Sequence, residues 1–193
     1  MKISSLILAK SQSKRLTNKN LLDFLGKPMF VWNLRKCRGV FGEVYISSDS
    51  DEILKIARRY GAKTIKRPDN LCGEVPNIPV YQHALEFMER PNVIVAVQAC
   101  SPTMETGLLE ITRDIMFSGC RELMTCYPIE SKKDYHSQNF PIYGSIWAIS
   151  KERLENYGDP YKPNPEVLLV DESVDIHNKR DFNRALKRMT TLK

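Results

Sequence analysis

Asn92-Val93-Ile94-Val95-Ala96-Val97-Gln98 is the stretch whose reading decides the fold of this 193-residue chain. The run is short, β-branched and continuous, with no polar residue between its two ends. A strand with one face in water alternates apolar and polar side chains. One that is apolar throughout is covered on both faces, as in the sheets of α/β proteins. The neighbouring segments agree. Residues 80–89 read as a helix with Val80, Ala84, Leu85 and Met88 on one face. Residues 105–117 read as an amphipathic helix stopped by Gly119.

Further toward the N-terminus, residues 1–9 and 43–48 read as strands, and residues 62–66 as a short one. Between them lie a helix over 27–37, with Pro28 at its first position, and a helix over 52–60 stopped by Gly61. Asp49 and Asp51 read as caps of the second helix. Residues 71–79, rich in turn formers, read as a loop. Toward the C-terminus, strands are expected over 123–127, 142–149 and 166–170. Residues 131–141 and 159–165 read as irregular, Ser150 as a helix cap, and residues 181–189 as a closing helix. Strands alternating with helices of about ten residues predict one α/β domain over 1–193, a three-layer sandwich around a mainly parallel mixed sheet.

Composition narrows the class. At 42% hydrophobic and 27% charged residues, the chain can bury a substantial core. No apolar run approaches the ~20 residues that span a bilayer, so a cytoplasmic protein without a membrane partner is expected. The five cysteines are scattered and show no C-x-x-C pair, which argues against zinc or a disulfide framework. A net charge of +6 suits an anionic ligand. No Lys/Arg block or aromatic-basic motif accompanies it, so nucleic acid is not expected as a partner.

In open α/β sheets, ligands lie beyond the carboxyl ends of the strands. That draws attention to the loop after the first strand, Ala9-Lys10-Ser11-Gln12-Ser13-Lys14-Arg15-Leu16-Thr17-Asn18-Lys19-Asn20. It interleaves small polar residues with cations, a composition that suits a polyphosphate. A solvated basic loop is the plainer reading of the same residues. Arg67-Pro68, Ser47 through Asp51, and Gln98 through Pro102 occupy equivalent strand-end places.

In order along the chain, Leu8 through Asn20, Gly26-Lys27-Pro28, Ile46-Ser47-Ser48-Asp49-Ser50-Asp51, Arg67-Pro68, Gln98-Ala99-Cys100-Ser101-Pro102, Tyr143-Gly144-Ser145-Ile146-Trp147 and Val174-Asp175-Ile176-His177 resemble the motifs of the acylneuraminate cytidylyltransferases. These are the CMP-sialic acid synthetases and their relatives. The resemblance runs over about residues 3–186. It implies a Rossmann-like nucleotidyltransferase fold, transfer of CMP from CTP to an acidic sugar of sialic acid or Kdo type, release of pyrophosphate, and Mg²⁺ as cofactor.

By that resemblance Ala9, Lys10, Ser11, Gln12, Ser13, Lys14, Lys19, Asn20 and Arg67 would bind the nucleotide, with Lys10 and Lys19 serving catalysis. Gln98, Ser101 and Tyr143 would meet the acceptor. Asp175 would be catalytic as the metal ligand. Ser11 and Gln12 stand where the family has glycines, Cys100 where it has Thr, and His177 where it has a second metal-binding Asp. The 127–142 segment is a shortened form of the family's dimerisation excursion, and a homodimer is compatible with it. The departures leave open an altered-specificity or non-catalytic nucleotide-binding relative, or an enzyme using another nucleotide or a phosphonate acceptor. From the residues alone, His177 and Tyr143 have plain structural readings as well.

Overall fold

The apolar run around Val95 is the middle strand of a seven-stranded sheet. The computed structural model describes residues 1–11, 13, 15–128 and 143–191. Its strands are β1 (Ile3–Leu8), β2 (Val44–Ser48), β3 (Lys63–Lys66), β4 (Val93–Gln98), β5 (Glu122–Cys126), β6 (Tyr143–Ser150) and β7 (Val167–Val170). They lie in the order β3-β2-β1-β4-β6-β5-β7. The pairs β3/β2, β2/β1, β1/β4 and β5/β7 are parallel, and β6 runs antiparallel to both of its neighbours. The sheet is therefore mixed and mainly parallel, a Rossmann-like α/β arrangement.

Among the described residues, six α-helices accompany the sheet: α1 (Met29–Phe41), α2 (Asp51–Arg59), α3 (Asn77–Phe87), α4 (Thr106–Phe117), α5 (Lys151–Glu155) and α6 (Lys179–Thr191). β4 explains its own composition. Val93, Val95 and Val97 join the core shared with α1, α2 and α4, while Ile94 and Ala96 join the core shared with α3 and α5. With a helical layer on each face, no position from Val93 to Val97 is left for a polar residue, and the first one comes at the strand's end, at Gln98. A third, smaller core gathers Phe24, Met29 and Val174 against Phe182 and Ala185 of α6.

Three boundaries differ appreciably from the sequence reading. First, α1 runs on to Phe41, past the expected end at residue 37, and Pro28 is its N-cap and not its first helical residue. Residues 77–79 are not loop but the first turn of α3, which starts at Asn77. Pro79 fits there because the N–H groups of a helix's first turn have no intrahelical partner to lose. In α2 the N-cap is Ser50, whose Oγ accepts from the Ile53 N–H at 3.3 Å, and not either flanking aspartate. Asp51 instead pairs with Lys66 at 2.7 Å.

The order of the strands positions the site. From β1 the chain moves outward through β2 to β3, then returns to place β4 on the other side of β1. The carboxyl ends of β1 and β4 therefore diverge into loops on opposite sides, which opens a crevice between them. Leu8 lies opposite Gln98 at this point.

Candidate active site

A cleft of about 300 Å³ lies at that crevice. The β1 end contributes Leu8, Lys10, Lys19 and Asn20, and the residue after β3 contributes Arg67. From β4 come Gln98, Ala99 and Cys100, and from β6 Tyr143, Gly144 and Trp147. Lys10, Lys19, Arg67, Asn20, Gln98 and Tyr143 thus meet in one cavity. Val75, Val80 and Tyr81 from the segment leading into and forming α3 complete an apolar wall that the sequence reading did not single out.

Arg67 is the unusual member. Only 5% exposed, it donates from Nη2 to the Ser47 carbonyl at 2.8 Å and from Nε to Ser47 Oγ at 3.2 Å. Among the described residues no carboxylate reaches it for an ion pair. Burial pulls the guanidinium's pKa down from its ordinary value, and the charge of Asp49 opposes that shift. A buried cation with unspent donors on a cleft wall is an anion site in electrostatic terms.

Asn20 points to the same conclusion. Its Nδ2 donates to the Lys10 carbonyl at 2.8 Å, while its Oδ1 is buried with no partner among the described residues. Buried acceptors are rarely left unpaired, and a cleft residue that carries one is ready for a donor on a ligand. Lys19, also on the cleft lining, donates from Nζ to the Ile176 carbonyl at 2.6 Å.

The basic loop is held from behind. Ser11 donates its N–H to Asp49 Oδ1 at 2.7 Å and its hydroxyl to Asp49 Oδ2. Ser11 is therefore turned toward β2 and does not line the cleft, so its side chain does not obstruct the place where the family has glycine. Burial would raise the Asp49 pKa, but the bonds from Ser11 and the charge of Arg67 outweigh it and hold the carboxyl below its ordinary value. Ser13 is absent from the cleft lining as well. Gln12, Lys14 and residues 129–142, which include most of the shortened excursion, lie outside the described residues.

On the acceptor side, Gln98 donates from Nε2 to the Gly144 carbonyl at 3.0 Å. Ser101 is fully buried, its hydroxyl 3.2 Å from the Tyr127 hydroxyl, so the structure does not bring it to the cleft. Cys100 does line it, with its thiol donating to Asp175 at 3.0 Å. Burial pushes that thiol up to about 12, so it stays protonated and is no nucleophile at neutral pH.

Asp175 also pairs with His177 Nε2 at 2.6 Å. Burial works to raise its pKa, but His177, Cys100 and Lys19 together keep it below its ordinary value. Among the described residues, no three His, Cys, Asp or Glu side chains converge on a metal position. Mg²⁺ needs no such cage: it takes one or two carboxylates and fills its shell with phosphate oxygens and water. Asp175 is not itself among the residues lining the cleft but sits behind Cys100. Each of its oxygens takes one partner among the described residues and keeps a free lone pair, so it fits as a single ionised ligand. His177 does not fit as a second one, because it is committed to Asp175 and imidazole is a poor donor to a hard cation.

Three supports were not singled out in the sequence. Asp171 is fully buried, and its Oδ2 accepts the Ser145 N–H at 2.6 Å together with the Ser145 and Thr125 hydroxyls. Glu122, equally buried, accepts from Trp147 Nε1 at 3.0 Å, from Tyr157 at 2.8 Å and from Arg153. Asn33 of α1 binds the loop after β4. The legible signal for Asn33 was its position, a polar residue on the apolar stripe that runs from Phe30 to Cys37.

Comparison with known proteins bears on the family and the fold. A family profile described as Cytidylyltransferase matches residues 5–109. The pseudaminic acid cytidylyltransferase of Campylobacter jejuni is 38% identical over 156 residues, which cover 74% of this chain and 67% of that protein. The N-acylneuraminate cytidylyltransferase of Escherichia coli is 24% identical over 192 residues, covering 95% of this chain and 45% of that protein. In structure, the chain superposes with a TM-score of 0.80 on a CMP:2-keto-3-deoxy-manno-octonic acid synthetase solved with CTP, at 15% identity and over the whole of both chains.

Proposed function

Because the chain belongs to the cytidylyltransferase family, we propose that it transfers CMP from CTP to a nonulosonic acid, of the class that includes pseudaminic and sialic acids, with release of pyrophosphate. The observation that carries the reading is Arg67, a buried guanidinium without a carboxylate partner among the described residues, on the wall of a cleft that also holds Lys10 and Lys19.

In this reading the triphosphate lies over the β1 loop. Lys10, Lys19 and Arg67 offset its charge and stabilise the charge that builds on the leaving pyrophosphate. Fixing Lys19 on the Ile176 carbonyl places its ammonium before substrate arrives, so little reorganisation is left for the transition state. Asn20 Oδ1 accepts a donor from the nucleoside. Gln98 and Tyr143 orient the acceptor sugar, and the apolar wall excludes water from the reacting atoms. Mg²⁺, held through Asp175, supplies further neutralisation of phosphate charge when bound. A cytoplasmic location and a homodimer belong to the same reading; sedimentation at micromolar concentration reads the second.

The test is pyrophosphate release with CTP and Mg²⁺ across pseudaminic acid, N-acetylneuraminic acid and Kdo. Turnover should require CTP and be fastest with one of the two nonulosonic acids. No release with any acid sugar, or equal release with UTP, GTP and ATP, overturns the reading.

A further inference from the structure

α1 contributes no side chain to the cleft, yet it is polar where it should be apolar. Asn33 is fully buried, and its Nδ2 donates to the Gln98 carbonyl at 2.8 Å and to the Ser101 carbonyl at 2.9 Å. Both partners are acceptors only, so the geometry fixes which end of the amide faces them. One helical turn on, Lys36 Nζ donates to the Pro102 and Met104 carbonyls, each at 2.6 Å. The loop that leaves β4 therefore has four of its carbonyls satisfied by two side chains of one helix.

Stability alone accounts poorly for this arrangement. Asn33 Oδ1 is buried with no partner among the described residues, and the Lys36 ammonium is desolvated enough that burial lowers its pKa to about 8. Each group carries a desolvation cost in order to hold a loop. That loop bears Gln98 and Cys100, both on the cleft wall. Fixing the Gln98 carbonyl fixes the peptide from which its side chain reaches the Gly144 carbonyl.

We infer that Asn33 is a positioning residue for the acceptor half of the site, with Lys36 as its auxiliary, acting through Gln98 and the loop after β4. The inference rests on the reading above for what the acceptor is. Among the described residues, neither the β1 loop nor Arg67 shares a hydrogen bond with Asn33, so nucleotide binding is left aside.

The test compares wild type with Asn33→Ala, Asn33→Ser and Lys36→Met in full-length protein. Asn33→Ala should raise the acceptor KM or lower kcat by about tenfold, a part of the roughly hundredfold that a full ångström of misplacement can cost. The KM for CTP should stay within about twofold, and Asn33→Ser, which keeps one donor, should fall between wild type and Ala. Parallel loss of CTP and acceptor affinity, or acceptor kinetics within twofold of wild type, overturns the inference.

Hydrogen exchange gives a readout that needs no substrate. Amides of residues 98–104 should exchange about tenfold faster in Asn33→Ala while those of residues 9–20 hold their wild-type rates. Unchanged exchange at 98–104 overturns the brace. If Asn33→Ala does not fold, Lys36→Met carries both measurements, with smaller effects in the same direction. A wild-type protein without turnover on any acid sugar would sink the proposed function, and the exchange experiment would still decide the brace.

Discussion

Arg67 and Asp49 illustrate how one charge can serve a ligand and its neighbour a loop. Replacing Arg67 by Met removes a buried cation and its remaining donors. Hydrogen bonds to charged groups are worth about 1.5–3 kcal/mol, so the CTP Kd should rise roughly ten- to a hundredfold by calorimetry. Arg67→Lys should recover only part of this, because Lys keeps the charge and loses the planar fork. At Asp49 two substitutions should move CTP affinity in opposite directions. Asp49→Asn keeps an acceptor for the Ser11 N–H and a donor for its hydroxyl, but it deletes a negative charge near Arg67. CTP should bind about two- to fivefold tighter, the worth of one partly screened charge at ~0.5–1 kcal/mol. Asp49→Ala releases Ser11 altogether and should weaken binding. Equal effects of the two would show that the tether on Ser11 contributes nothing.

At the scale of elements, the acceptor wall depends on how β5, β6 and β7 end together. Gly144 admits no side chain, because an added Cβ would stand 2.5 Å from Thr125 Oγ1 and 2.7 Å from Asp171 Oδ2. Those two groups are themselves bonded to Ser145 and Ile146 of the next turn of strand, so they have little room to withdraw. Gly144→Ala should cost about 1–3 kcal/mol, read as a lower urea midpoint at unchanged slope. Of this region the sequence made the strands legible, since β5, β6 and β7 all lie within a residue or so of their expected places. Asp171 was not legible: a carboxylate one residue past a short strand reads as a loop residue until the fold brings Ser145 and Thr125 to it. The start of α3 was misplaced for a different reason. Turn formers such as Pro76 and Pro79 are equally at home in a loop and in a helix's first turn, and only tertiary packing of Ile78 and Val80 decides between them.

Across the whole molecule, what could be read in advance was whatever local pattern or strand-end position determines. The sheet, its two helical layers and the gathering of Lys10, Lys19, Arg67 and Gln98 at one crevice follow from apolar periodicity and the rule that ligands sit at the strand ends. Contacts between segments far apart in the chain carry no such mark, and the bond from Asn33 to Ser101 spans 68 residues. The end of the sheet opposite the site shows the same limit and yields a prediction about acid stability. There Glu43 accepts from Lys63 at 2.6 Å and from Ser4 at 2.8 Å, with Lys2 at 3.2 Å, which joins the starts of β1, β2 and β3. Burial would raise its pKa, but these donors and charges lower it from 4.5 to about 2. Between those two values the unfolded chain takes up a proton that the folded chain refuses. The stability contributed by Glu43 is thus complete above about pH 4.5 and is lost as pH falls toward 2. Glu43→Gln should be less stable than wild type at pH 6 in urea unfolding, and the gap should narrow steadily between pH 4.5 and 3. Lys63 is 45% exposed, so added salt should shrink the neutral-pH gap as well. A gap that is constant with pH would mean that Glu43 acts through packing alone and that the carboxylate's charge does not hold the three strands together.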